Sequence, residues 1–246
     1  MQAFEISGGV PLSGRIQVSG NKNEALPAIA CALLTDQPLV LNNVPDILDV
    51  RVMLEILAEM GTEVVRETPH RIRLTTPKLK TTSIPASLAK RVRASILFAG
   101  PVLGRANRVD LPPPGGDVIG RRRLDTHFMG LEKLGARFEF GKTFRGRAKK
   151  LVGTEIFLDE ASVTATENLL MAASVAQGRT VLRNAACEPH VQGIAEMLNK
   201  MGAKISGHGT NCITIDGVSA LGGCEHTIGP DYLEVGSMIC LAAVTG

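Results

Sequence analysis

Residues 111–135, LPPPGGDVIGRRRLDTHFMGLEKLG, hold side chains that could act together on an anion. Pro112, Pro113 and Pro114 stiffen the approach, Gly115 and Gly116 free the backbone, and Asp117 follows at once. Gly120 then leads into Arg121, Arg122 and Arg123 and an amphipathic helix. An acid on a hinged loop beside a cluster of guanidinium forks suits closure over a phosphate or carboxylate. Taken alone, the stretch reads equally as a surface loop before a helix with a solvated basic start.

A second candidate cation is Lys22, in N-K-N-E-A-L-P. Asn21 or Asn23 can cap the apolar helix that runs through Leu26, Ile29, Ala30, Leu33 and Leu34, and Pro27 is tolerated if it lies in the first turn. Lys22 then sits where free N–H groups and the helix dipole already favour an anion. Taken alone, Lys22 reads first as a plain surface lysine.

The rest of the composition narrows the class. With 44% hydrophobic and 21% charged residues over 246 positions, the chain is an ordinary globular one with room for one or two cores. It has no Trp, one Tyr and seven Phe, so the core must be aliphatic, and base-stacking platforms for single-stranded nucleic acid are not expected. A net charge of +3 is too small to imply nucleic acid. The five cysteines are scattered, with no C-x-x-C pair and no histidine at zinc spacing, and are expected to be reduced core thiols. The start has no basic and apolar leader pattern, and no apolar run reaches membrane-spanning length. A cytoplasmic, soluble protein without a membrane partner is expected.

One order of elements recurs three times. In the first copy a helix leads to strand PLVLNNV, a loop, and a helix with Val50, Met53, Leu54 and Leu57 in helical register; Gly61 and a strand follow. Next, RASILFAGPVL leads to RVDL, the loop described above, and a helix with Leu124, Phe128, Leu131 and Leu134, then Gly135. Last, ENLLMAASVAQG leads to RTVLRN, AACEP, and a helix with Val191, Ile194, Met197, Leu198 and Met201, then Gly202. A third strand closes each copy: RIRLTT, EIFLDE and NCITIDG. Glycines 61, 135 and 202 mark an internal repeat of about seventy residues. Three α/β copies pack best around a pseudo-threefold axis, helices central and sheets outside. Residues 3–20 read as a β-hairpin outside the repeats, and residues 230–246 as the first helix of a further copy. The expected division is 1–21 in a second, mostly absent domain, 22–229 as the complete three-repeat domain, and 230–246 as the return into the second.

Four segments, S-G-N-K-N-E-A-L-P-A (19–28), L-P-P-P-G-G-D-V-I-G-R-R-R-L-D-T-H (111–127), A-S-V-T-A-T-E-N (161–168) and N-A-A-C-E-P-H-V (184–191), together resemble the UDP-N-acetylglucosamine enolpyruvyl transferase family. The resemblance implies two inside-out α/β barrels of three repeats each, of which this chain supplies one. It implies transfer of the enolpyruvyl group of phosphoenolpyruvate to the 3′-hydroxyl of UDP-N-acetylglucosamine, at the entry to peptidoglycan synthesis, with no metal or other cofactor.

By the same resemblance, Lys22 and Arg122 hold phosphoenolpyruvate, with Arg93 close by, and Asn23 contacts the sugar nucleotide. Arg122, Arg123, Leu124 and Asp125, with a turn at Ser162, Val163 and Thr164, form the uridine-diphosphate side. Asp117, Lys22 and Arg122 are the catalytic set. Asp117 stands where the family usually has Cys, and Arg123 where Pro is common. The family's aspartate base and further phosphoenolpyruvate-gripping arginines fall beyond residue 246, so this chain alone is expected to be inactive. Glu188 and Asp125 read equally as caps or structural ion pairs.

The alternatives are a shikimate-pathway enolpyruvyl transferase, against which N-K-N-E-A-L-P speaks, and a sugar-nucleotide-binding module without turnover. A third is a nucleic-acid binder using 121–123 and the basic stretch 142–150, which reads as an exposed hairpin.

Overall fold

The computed structural model describes residues 3–6, 8, 9, 11–116 and 123–245. The first repeat opens with α1 (Lys22–Ala30), which tightens into a 3-10 turn at Cys31–Leu34. Asn21 caps α1, its side chain accepting from the backbone N–H groups of Asn23 and Glu24. Every residue of α1 from Glu24 onward is buried, as an all-round apolar helix must be. After β1 (Leu39–Asn42), α2 (Leu48–Met60) buries only a stripe and stops at Gly61, whose φ of 107° is open to glycine. Strands β2 (Glu63–Thr68) and β3 (Arg71–Thr75) complete the copy.

The second repeat begins after the short α3 (Ala86–Ala89), with a 3-10 helix at Arg93–Phe98 running into α4 (Ala99–Ala106). It continues through β4 (Arg108–Leu111), α5 (Asp125–Lys133), β5 (Ala136–Glu139) and β6 (Phe144–Ala148). Strand β7 (Glu155–Phe157) leads to the third copy: α6 (Val163–Ser174), β8 (Arg179–Arg183), α7 (Pro189–Lys200), β9 (Lys204–Ser206) and β10 (Cys212–Asp216). β11 (Cys224–Thr227) and α8 (Tyr232–Thr245) follow. Gly135 and Gly202 repeat the left-handed stop of Gly61, at φ 101° and 102°.

The sheets close the repeats into a ring. Within each copy the first strand pairs antiparallel with the third, and the third with the second. The segment leaving a copy then pairs parallel with the first strand of the next: β7 lies on β8, and Ser83 bridges Asp110. β11, leaving the third copy, lies parallel on β1 of the first. Ile228, Ile84 and Leu158 donate equivalent N–H bonds to Asn42, Asp110 and Arg183, which fixes the correspondence between copies. One face of each sheet packs on the helices and the other is exposed, so the helices lie inside and the sheets outside, an inside-out α/β barrel as expected.

Five expectations are corrected. The strand that closes the second copy is β6, not EIFLDE, which forms β7 and pairs parallel with β8 of the third copy. The described residues of 3–19 form no strand; Gly20 alone bridges Pro230, so a strand pattern without a partner sheet was not enough. Pro27 lies in the second turn of α1, leaving the Asn23 carbonyl without its usual i+4 donor. The helix expected over 93–103 starts as a 3-10 segment. Of the cysteines, Cys31 alone is buried; Cys187 and Cys240 are exposed, although all five are free. No helix among the described residues is long and apolar enough to cross a membrane.

Candidate functional site at the convergent helix ends

Within a copy the inner helix runs away from one end of the barrel, the first strand returns to it, and the outer helix starts there again. All six helices of the repeats therefore begin at one end. Their contacts bear this out. Lys22 Nζ, on the first residue of α1, lies 3.4 Å from Asp49 Oδ2, on the second residue of α2. Arg93, first in the 3-10 helix, donates from Nη2 to the Arg123 carbonyl at 3.1 Å, just before α5. Thr164, at the start of α6, meets His127 of α5, and the Thr166 hydroxyl accepts from Ala186 N–H ahead of α7. Such an end gathers unpaired backbone N–H groups and positive dipole ends, a setting for anions.

The loops at this end differ among copies. Strand and outer helix are joined by residues 43–47 in the first copy and 184–188 in the third, five residues each, but by 112–124, thirteen residues, in the second. Asn43 and Asn184 make the two short turns, each left-handed at φ 55° and 56°, each donating its amide to the neighbouring strand's carbonyl. Leu111 holds the corresponding place before Pro112, so the second copy does not turn this way. Gly115 packs against the Lys90 backbone, where a Cβ would lie 1.8 Å from the carbonyl oxygen. Asp117 and Arg122, with 118–121, lie outside the described residues.

The described candidates fall into two groups. Lys22 is half exposed with Asp49 as its partner, and neighbouring Asn23 is partly buried. Arg123 is the centre of the second group. It grips Asp125 through Nε and Nη2, at 2.9 and 2.6 Å, and also bonds Asp159. The guanidinium holds both carboxyls below the usual carboxylate range, and they raise Arg123 in turn. Asp125 is thus an ion-pair partner rather than a cap. Leu124 packs against the core ahead of α5. The expected turn at Ser162, Val163 and Thr164 is instead a helix start: Ser162 caps α6, accepting from Ala165 N–H at 3.4 Å, and Val163 and Thr164 open its first turn. The N–H groups of a first helical turn serve a diphosphate as well as those of a loop turn.

A buried network lies under this group. His127 is 2% exposed, with Nδ1 3.1 Å from Asn168 Nδ2 and Nε2 3.1 Å from Thr164 Oγ1. The Asn168 amide also donates to the Ile96 carbonyl, while its oxygen accepts from Gly100 N–H. An amide nitrogen can only donate, so His127 Nδ1 is the acceptor and Nε2 carries the proton toward Thr164. Burial, then the charge of Arg93, pushes His127 down to about 3, so the ring is neutral.

Beside α1, three further carboxyls come together. Glu24 accepts from His226 Nε2 at 2.8 Å and from Gly229 N–H at 3.1 Å. Glu167 is fully buried, and burial, reinforced by Glu188 and Glu24, drives it well above the carboxylate range. Glu188 is the N-cap residue of α7 without a capping bond from its side chain. Spacing along the chain gave no sign of the His127–Asn168 or Glu24–His226 pairs, which lie 41 and 202 residues apart. Among the described residues no group of three or more His, Cys, Asp or Glu could hold a metal ion.

Comparison with known proteins agrees with this architecture. Residues 6–246 match the family profile described as EPSP synthase (3-phosphoshikimate 1-carboxyvinyltransferase). The chain is 58% identical over 245 residues to a UDP-N-acetylglucosamine 1-carboxyvinyltransferase of Treponema denticola, and 51% identical over 242 residues to one of Bradyrhizobium diazoefficiens. These alignments cover 100% and 98% of this chain but 58% and 56% of those proteins, so the chain spans little more than half their length. Among solved structures, the enolpyruvyl transferase NikO from Streptomyces tendae superposes with a TM-score of 0.82 at 22% identity, over 95% of this chain and 56% of that one. An EPSP synthase from Acinetobacter baumannii gives 0.73 at 17%, over 93% and 52%. At such identities these structures speak for the fold alone.

Proposed function

The chain belongs to the family of EPSP synthase, the carboxyvinyl (enolpyruvyl) transferases, and on that premise we propose that it works on phosphoenolpyruvate and UDP-N-acetylglucosamine. The observation that carries the choice of anionic substrates is the convergence of six helix N-termini beside Lys22 and Arg93. The choice of acceptor is supported by high identity to relatives named for UDP-N-acetylglucosamine.

In the proposed reaction the 3′-hydroxyl oxygen adds to C2 of phosphoenolpyruvate while C3 takes a proton, giving a tetrahedral ketal. The C2–O bond to phosphate then breaks as C3 returns a proton, releasing phosphate and the enolpyruvyl ether, at the entry to peptidoglycan synthesis in the cytoplasm. Lys22 and Arg122 hold the phosphate and carboxylate of phosphoenolpyruvate, with Arg93 beside them. Asn23 contacts the sugar nucleotide. Leu124, Ser162, Val163 and Thr164 line the uridine-diphosphate side, where Arg123, already engaged by Asp125 and Asp159, offers a neutralised pair rather than a free cation.

Asp117 supplies the proton to C3. A carboxyl near its ordinary pKa of about 3.9 is protonated in roughly one molecule per thousand at pH 7, so bound phosphoenolpyruvate and exclusion of water must raise it. Residues 1–21 and 230–246 belong to a second domain that carries the base acting on the 3′-hydroxyl and completes closure over the substrates.

Titration calorimetry tests the substrates: weak binding of UDP-N-acetylglucosamine is expected, and whatever binding of the phosphoenolpyruvate anion exists is expected to be lost in Arg122→Ala and Lys22→Ala. Unchanged affinity in both variants would move the site elsewhere. A phosphate-release assay with both substrates tests the division of labour. No turnover is expected from this chain alone, and rates of about 1 per second, ordinary for enzymes, would overturn it.

A further inference from the structure

The three sheets are copies of one design, so each serves as a control for the others. On the exposed face of the second sheet, Arg108, Arg147 and Arg137 stand side by side across β4, β6 and β5. The corresponding rows are Val40, Arg73 and Val65 in the first sheet and Val181, Thr214 and Ser206 in the third. The fold therefore makes no demand for arginine there, and like charges directly opposite one another destabilise a sheet.

Elsewhere on the exposed faces basic groups are answered by acids: Arg71 and Arg73 by Glu67, Arg183 by Glu155, and Arg179 by Asp216. In the second sheet, among the described residues, Arg147 alone has such a partner, Asp110 at 2.8 Å; Arg108, Arg137 and Arg145 are exposed and form no ion pair with a described residue. Residues 136–150 contain six basic side chains and one acidic, a net of +5 in a chain of +3, so the other residues together are net negative.

We propose that this arginine face is a docking surface for an anionic phospholipid membrane. Neighbouring strands set the Cα atoms of the row about 5 Å apart, so it presents forked donors over roughly 10 Å, a match for a layer of phosphate headgroups. Two features favour lipid over nucleic acid: the face is a sheet surface rather than a groove, and its arginine row carries no aromatic ring for base stacking, Phe140 of the β5–β6 turn packing instead with Phe128, Phe138 and Phe144. Such binding needs no spanning segment, so the lack of one does not bear on it.

Co-sedimentation of the 246-residue chain with vesicles tests the proposal. Binding is expected to vesicles of phosphatidylcholine with about a third phosphatidylglycerol, to be absent with phosphatidylcholine alone, and to weaken as salt rises. The triple variant Arg108→Gln, Arg137→Gln and Arg145→Gln should bind on the order of a hundredfold more weakly. Lys78→Gln, Lys80→Gln and Lys204→Gln together remove the same charge from other surfaces and should leave binding within about twofold. Circular dichroism identifies any variant that has not folded, and the single Arg137→Gln change, on an exposed edge strand, then reads the same effect at smaller size. Equal losses in both triple variants would reduce the effect to net charge and overturn the proposal. So would the absence of vesicle binding, or a face that takes duplex RNA or polyglutamate at vesicle-saturating salt but no lipid.

Discussion

At the scale of single residues, the neutral His127 is the most exacting feature. Its Nδ1 is held as an acceptor by Asn168 and its Nε2–H is aimed at Thr164, at the opening of α6. In the unfolded chain the ring takes a proton near pH 6.5, whereas burial defers this to about 3 in the folded state. Stability from keeping the ring neutral is therefore complete above pH 6.5 and falls by about 1.4 kcal/mol per pH unit as acid is added toward the folded value. Urea unfolding at pH 7 and pH 5 should show wild type losing about 2 kcal/mol more than His127→Gln over that interval. Equal losses would mean the ring is charged in the folded protein. A second residue-scale test concerns Asp117: Asp117→Cys, in a protein that also carries the remainder of the family's length, should acquire a thiol that the epoxide fosfomycin alkylates, while wild type gains no adduct in intact-mass measurement. An adduct on wild-type Asp117 would overturn its assignment as an oxygen acid.

Among elements, packing between inner helices is set where a side chain is missing. A Cβ at Gly100 of α4 would lie 2.3 Å from the Asn168 backbone oxygen and 2.4 Å from its side-chain oxygen, both on α6. Gly100→Ala should therefore destabilise by about 1–3 kcal/mol, against the usual helix preference for alanine. Gly236 of α8 has nothing within 4 Å of such a carbon, and Gly236→Ala should stabilise by up to about 1 kcal/mol. Thermal unfolding of the two variants reads the contrast, and matching shifts would show that the α4–α6 approach is looser than this geometry. The three-repeat order and its glycine stops at 61, 135 and 202 were legible because each follows from local pattern: apolar spacing, a strand run, a residue that accepts positive φ. The 3-10 start at Arg93 and the helical place of Ser162 were not, because they depend on what the neighbouring helix end offers.

For the whole molecule, the decisive contact is ring closure. β11 returns to β1, and Glu24 of α1 accepts from His226 and Gly229 beside that joint, while Asn21 N–H donates to the Gly229 carbonyl. Glu24→Ala would strand one buried and one part-buried donor and should cost about 3–5 kcal/mol, read in the urea midpoint. A loss under about 1 kcal/mol would mean that closure rests on strand pairing alone.

The sequence alone determined the internal repeat, the α/β class, the helices-in and sheets-out arrangement, and the family, because these depend on periodicity and on long contiguous motifs. It did not determine that β11 closes the ring, that His127 is neutral, that Arg123 is already engaged by Asp125 and Asp159, or that three arginines share one cross-strand row. Each of those joins residues far apart along the chain, and only the register of strands and the crossing of helices decides which of many possible partners comes within hydrogen-bonding reach.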